Sequence, residues 1–159
     1  MTESRIAPQA TFNHVQDLAA PPERVFPLLC PTREAEWLEH WRCELVHSRS
    51  GFAEEGCIFT TNLDVPATWV VVRHEADRRI EFVVFTADEV VVRYRITLEP
   101  TTQGGTRLGW AKTYTAVGPR GATFIAALSP ERFDREMRAL LGRLEHYLRH
   151  SVMLRLTHS

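Results

Sequence analysis

Residues 129–150 read SPERFDREMRALLGRLEHYLRH, and how this stretch folds decides the architecture. Ser129 offers an N-cap oxygen, and Pro130 suits the first helical position, where a missing N–H costs nothing. Phe133, Met137, Leu140, Leu141, Leu144, Tyr147 and Leu148 then recur at the helical period, giving one apolar stripe over about 20 residues. Such a helix must lie on an apolar surface. The chain before it supplies one, because from Arg42 to Val117 the apolar period falls to two, in β-branched and aromatic runs separated by turn residues. Six strands are expected, at 42–48, 57–63, 67–75, 79–86, 89–99 and 106–117. Their short links favour an antiparallel meander.

Further out, TFNHVQDL at 11–18 adds a strand that Ala19-Ala20-Pro21-Pro22 ends. The two prolines suit the first turn of a short helix bearing Val25, Phe26, Leu28 and Leu29, which Pro31 stops. Thr32 is expected to cap a second short helix carrying Trp37, Leu38 and Trp41. A short apolar piece, 122–128, precedes the long helix. The order implies an α+β fold: a seven-stranded curved antiparallel sheet, with two short helices after strand one, wrapped around a long C-terminal helix. With no repeat or linker, one domain is expected over 1–159, with 1–9 and 152–159 as peripheral tails.

Composition narrows the function classes. The 159 residues are 44% hydrophobic and 25% charged, close to globular averages, which argues against disorder and against a disulfide scaffold. A formal charge of -1 and the lack of a basic run argue against a nucleic-acid partner. Apolar stretches fall far short of the roughly 20 residues a membrane span needs, and MTESRIAPQA lacks a signal core, so a cytoplasmic location is expected. Cys30, Cys43 and Cys57 match neither a redox nor a zinc framework and read as reduced, partly buried residues. Among 19 basic residues the single lysine is Lys112.

Alternation assigns the faces. Val90, Val92, Tyr94, Ile96 and Leu98 are expected inward, and matching Ile96 with Trp110 brings Leu108, Lys112 and Tyr114 in beside them. A slip of one residue would instead put the tryptophan out among the arginines. An inward lysine is costly unless it is hydrated, paired or met by an anionic ligand. The strands at 67–75 and 79–86 are apolar on both faces. The face with Trp69, Val71, Ile80, Phe82 and Val84 is taken as inward, because bulky aromatics suit a cavity wall. Val70, Val72, Val83 and Phe85 are then left as a surface patch suited to a homodimer.

Local motifs add little chemistry. His146 and His150, four apart, fall off the apolar stripe and read as solvated. His47 and His74 are strand residues able to titrate near neutrality. Glu34, Glu36 and Glu39 are potential general bases, but read better as charges favouring the second helix and solvating its outer face. No phosphate cradle or serine elbow is present, and although the spacing of His146 and His150 can hold a metal, no carboxylate-bearing motif accompanies them, so no metal and no cofactor is expected.

The element order, together with A-P-P-E-R-V-F at Ala20–Phe26, E-x-x-W-L-x-x-W at Glu34–Trp41 and T-Y-T-x-x-G at Thr113–Gly118, resembles the START-like or SRPBCC superfamily, which includes polyketide cyclase/dehydrases and Bet v-type ligand carriers. The resemblance implies a helix-grip fold with a cavity between sheet and C-terminal helix. It implies binding of a small hydrophobic ligand of lipid or polyketide type. Trp37, Trp41, Phe59, Trp69, Phe82, Tyr94, Trp110, Lys112, Tyr114, Phe133 and Met137 are the expected lining, with Phe124 as lid. Two alternatives follow from the same resemblance. One is a cyclase/dehydrase-like enzyme using Tyr94, Tyr114, Lys112 or His47, with no catalytic signature legible. The other is a co-chaperone-like interaction module, which needs an open groove instead of an enclosed pocket.

Overall fold

The computed structural model describes residues 6–155. Strands β1 (Gln9–Leu18), β2 (Glu44–His47), β3 (Ile58–Asn62), β4 (Pro66–Glu75), β5 (Arg79–Thr86), β6 (Val90–Pro100) and β7 (Thr106–Ala116) form one antiparallel sheet. Its order is β1-β7-β6-β5-β4-β3-β2, so β1 crosses over to pair with β7 and the remainder is a meander. Helices α1 (Pro22–Val25), α2 (Pro119–Ala126) and α3 (Pro130–His150) complete the α+β fold, with single 3-10 turns at Phe26–Leu29 and Glu34–Glu36. β1 begins at Gln9, two residues before the expected strand, and the Pro8 carbonyl ahead of it accepts from Ala116 N at 2.9 Å. The outer ends of both expected tails, 1–5 and 156–159, lie outside the described residues.

Helix α3 forms as its sequence dictates. The Ser129 hydroxyl accepts from Arg132 N at 3.1 Å. At the other end Ser151 turns left-handed, φ 56°, and its N–H returns to the Tyr147 carbonyl. Phe133, Met137, Leu141, Leu144 and Leu148 are buried against the sheet. A further tie crosses from β1 to α3. His14, inward and buried, bonds Asp134 Oδ1 through Nδ1 at 2.6 Å and Gln16 Oε1 through Nε2 at 2.9 Å. Arg24 Nη2 donates to the Leu148 carbonyl at 3.0 Å, satisfying the helix's last turn.

The register is the one that unites the apolar sets: Ile96 opposes Trp110, and Tyr94 opposes Lys112. On β4 a register shift between Val71 and Arg73 makes Val72 the extra residue of a bulge. Val71, Ile80, Phe82 and Val84 are buried as expected, while Val72 and Phe85 stay exposed and Val70 and Val83 are half-buried. Opposite the helix, Glu81 is buried and held by Arg93 at 3.0 Å and Arg73 at 3.7 Å.

The second short helix is a single 3-10 turn, Glu34–Glu36, with Arg33 and not Thr32 at its N-cap position. Two indoles compete with helical pairing. Trp37 Nε1 donates to the Leu28 carbonyl and Trp41 Nε1 to the Pro31 carbonyl, both at 2.8 Å. His40 adopts φ 68°, reversing the chain between them. The apolar piece at 122–128 lies mostly within α2. Gly121 there faces the Glu89 carbonyl so closely that a Cβ would lie 1.9 Å from its oxygen, which seats α2 tightly on the turn before β6.

Candidate functional site

The inner face of the sheet is not uniformly covered. Toward one end Leu18, Leu98 and Leu108 are buried, and toward the other Val92, Tyr114 and Ala116. Between them Phe12, Lys112 and Tyr94 keep accessible surface. These three are direct cross-strand neighbours, Phe12 opposite Lys112 and Lys112 opposite Tyr94. Trp69 and Trp41, also partly accessible, extend the row with ring centroids 5.0 Å from Tyr94 to Trp69 and 6.0 Å from Trp69 to Trp41.

Around this row the aromatic rings interlock at the spacings such pairs favour. Phe59 stacks on Trp69 at 5.3 Å, and Phe82 meets Trp69 edge-on at 5.7 Å. Across the gap Phe133 of α3 stacks on Phe12 at 5.5 Å. The Lys112 ammonium lies 4.7 Å from the Tyr94 ring centroid and 6.0 Å from that of Phe133, so it stands between sheet and helix.

Glu34 is the residue that sequence reasoning misplaced. Glu36, not Glu34, occupies the outer side of the turn, where it pairs with Arg33 at 2.7 Å and accepts from Tyr147 Oη at 2.9 Å. Glu34 is turned inward, enclosed by protein, and burial pushes its carboxyl well above the usual range, with Lys112 pulling the other way. Its carboxyl makes no hydrogen bond or ion pair with another described side chain, and the residue is only half-buried. Burial also raises the Tyr94 phenol, with the Glu34 charge adding to the effect, so Tyr94 stays a neutral donor. The Cys43 and Cys57 thiols are likewise pushed up by burial, which leaves neither as a ready thiolate.

The expected lining residues divide into three groups. Trp41, Trp69, Tyr94, Lys112, Tyr114 and Phe133 converge on the row, with Phe59 and Phe82 packed against Trp69. Trp110 and Met137 are buried nearby, and the Trp110 indole N–H has no acceptor among the described residues. Trp37 lies apart, a fully enclosed core residue bonded to Leu28. Phe124 of α2 is 39% exposed, with its ring 5.9 Å from Tyr114, a position at the margin of the enclosure. Phe12 was missed, and Glu34 was weighed as a potential general base but set aside for a solvated role. Phe12 was legible by alternation in strand one, whereas nothing local marked Glu34.

Two surface clefts border this region. One of about 700 Å³ is lined by Cys43, Thr61, Ala67 and Thr86, and the Thr61 hydroxyl accepts from Trp69 Nε1 at 3.0 Å. Another of about 370 Å³, mostly apolar, lies between Phe26, Cys30, Phe52 and His74. His74 meets Phe26 edge-on there, 5.2 Å between centroids. His146 and His150 stack together at 4.6 Å on the far side of α3. Among the described residues no three His, Cys, Asp or Glu side chains are placed to share a metal ion, and no helix is long and apolar enough to cross a membrane.

Comparison with known proteins agrees with this geometry. Residues 9–149 match the family described as polyketide cyclase / dehydrase and lipid transport. No curated protein sequence matches. Among solved structures, protein CV1439 from Chromobacterium violaceum is 21% identical, with 85% of this chain and 94% of that one covered and a TM-score of 0.61. Ara h 8.0201 is 15% identical over 89% and 98% of the two chains, TM-score 0.63. CalU16 from Micromonospora echinospora is 14% identical over 91% and 85%, TM-score 0.59. At these identities the likeness concerns the fold.

Proposed function

Because the chain belongs to the polyketide cyclase / dehydrase and lipid transport family, we propose that it binds a small hydrophobic ligand between the sheet and α3. The observation that carries this reading is the row Phe12, Lys112, Tyr94 and Trp69, inward side chains that keep accessible surface beneath a helix whose own stripe is buried. Apolar burial at about 25 cal/mol per Å² supplies the affinity, and the few polar groups set the orientation. The cleft beside Thr61 and Cys43 serves as the way in.

Tryptophan emission reads this directly, since Trp41 and Trp69 face the same space. Fatty acids, flavonoids and polyketide-like aromatics are to be titrated in turn. Saturable change with at least one class is the expected result. A flat response to all three classes, with no ligand retained in native mass spectrometry, overturns the reading.

One observation favours a second reading, a cyclase/dehydrase-like enzyme. A buried carboxyl of raised pKa beside a lysine and a tyrosine is the equipment of proton transfer in a water-poor pocket. In the same mass spectra a hydroxylated polyketide-like probe recovered lighter by one water marks turnover, and one recovered intact marks a carrier.

Self-association is a further part of the proposal. Val72 and Phe85 remain exposed on the face away from α3, flanked by half-buried Val83, which suits a two-fold contact. Light scattering is expected to give twice the 18.2 kDa chain mass, and Phe85→Asp to halve it. A parent protein that scatters as one chain at micromolar concentration removes the dimer.

A further inference from the structure

We propose that the ligand carries one anionic oxygen group, a carboxylate or an acidic enol or phenol, seated at Lys112 Nζ between Tyr94 and Phe133. The proposal rests on the cavity reading above and specifies what that cavity selects.

Four observations carry it. Lys112 is the chain's single lysine, and its cross-strand partners Phe12 and Tyr94 fix it on the inner face. Its ammonium lies over two aromatic rings, at 4.7 and 6.0 Å from their centroids, and no carboxylate among the described residues comes within ion-pair distance of it. Ring faces attract a cation but leave its charge and its N–H donors largely unanswered. The arginines outside behave differently: Arg33, Arg73, Arg93, Arg132 and Arg149 each reach a carboxylate. Nearby, Trp110 Nε1–H has no acceptor among the described residues, the Tyr94 hydroxyl is a further donor, and the Glu34 carboxyl is the group that stands against them. A cluster of donors around a cation fits an oxygen anion and repels an ammonium.

Glu34 does not cancel this preference. No ion pair joins it to Lys112, and burial raises its carboxyl pKa, which weakens it as a competing anion. A neutral ligand would leave the ammonium as it stands. A monoanion answers it inside a low-dielectric enclosure, where the attraction is strongest.

The test uses the full chain and matched probes, 2-naphthoate against 2-naphthalenemethanol and dodecanoate against dodecanol, by calorimetry near neutral pH. In at least one pair the acid is expected to bind about 10-fold or more tighter than its alcohol. In Lys112→Met the ratio is expected to fall toward one, because acid binding loses more than alcohol binding does. Lys112→Gln, which keeps a donor but no charge, is the second variant if the methionine protein does not fold. Equal binding of acid and alcohol to the parent overturns the anion proposal and leaves the cavity reading intact. An acid preference that survives in both variants also overturns it, because the anion then sits elsewhere. Failure of all four probes to bind overturns the cavity reading and this proposal together.

Discussion

Trp37→Ala is expected to lower the free energy of unfolding by roughly 3–5 kcal/mol, the range for truncating a large core aromatic. Trp37 is among the largest fully buried side chains, at 1% exposure. Its indole N–H donates to the Leu28 carbonyl at 2.8 Å, so truncation leaves both a void and a buried acceptor without its donor. The damage is not confined to the void. Trp37 follows the turn Glu34–Glu36 and precedes Trp41, so it is the peg that holds this irregular segment against the 3-10 turn Phe26–Leu29. Against a total stability of about 5–15 kcal/mol for a domain, the loss is a large fraction. Denaturant midpoints measure it, and Trp37→Phe, which keeps most of the volume but loses the hydrogen bond, is expected to fall between. A loss below about 1 kcal/mol in the alanine variant would show that the segment is anchored by something else.

The contrast between this segment and the sheet explains what the sequence disclosed. In β6 and β7 the two faces differ in chemistry, Tyr94 and Ile96 against Arg93 and Arg95, so a slip by one residue is costly and the register can be read. That alone placed Lys112 beside Tyr94. In β4 both faces are apolar, and the bulge at Val72 arises from pairing with β5, which no local pattern announces. Between Pro31 and Cys43 the deciding interactions are indole-to-carbonyl bonds, which bridge nine or ten residues and override the helical reading of the same letters. Glu34 was lost for that reason. An acidic residue soon after Pro31 reads as a charge at a helix start, and only the pairing of Glu36 with Arg33 and Tyr147, the latter 111 residues away, determines which carboxylate turns outward. His14 escaped notice similarly, its partner Asp134 lying 120 positions along the chain.

Glu34→Gln is expected to stabilise the protein, and by an amount that grows with pH. The folded state raises the Glu34 pKa because burial penalises the charged form, while in the unfolded chain the group titrates near its ordinary value of about 4.3. Below that value both states hold the proton and the carboxyl costs nothing. As pH rises past it the unfolded chain releases its proton while the folded chain keeps it. The folded state then binds more protons, so stability falls with rising pH until the folded carboxyl also ionises. Glutamine does not titrate, so the variant is spared this loss. Each tenfold separation between the two proton affinities is worth about 1.4 kcal/mol. Glu36, Glu54 and Glu75, whose pKa values are lowered by their partners, act in the opposite sense in both proteins and cancel in the difference. Urea midpoints at about pH 4 are therefore expected to coincide, and those at about pH 8 to separate with the glutamine variant higher. A separation that does not change with pH means that Glu34 is not enclosed. The same comparison in a Lys112→Met background is expected to open wider, because Lys112 is the one charge that opposes the burial penalty on this carboxyl.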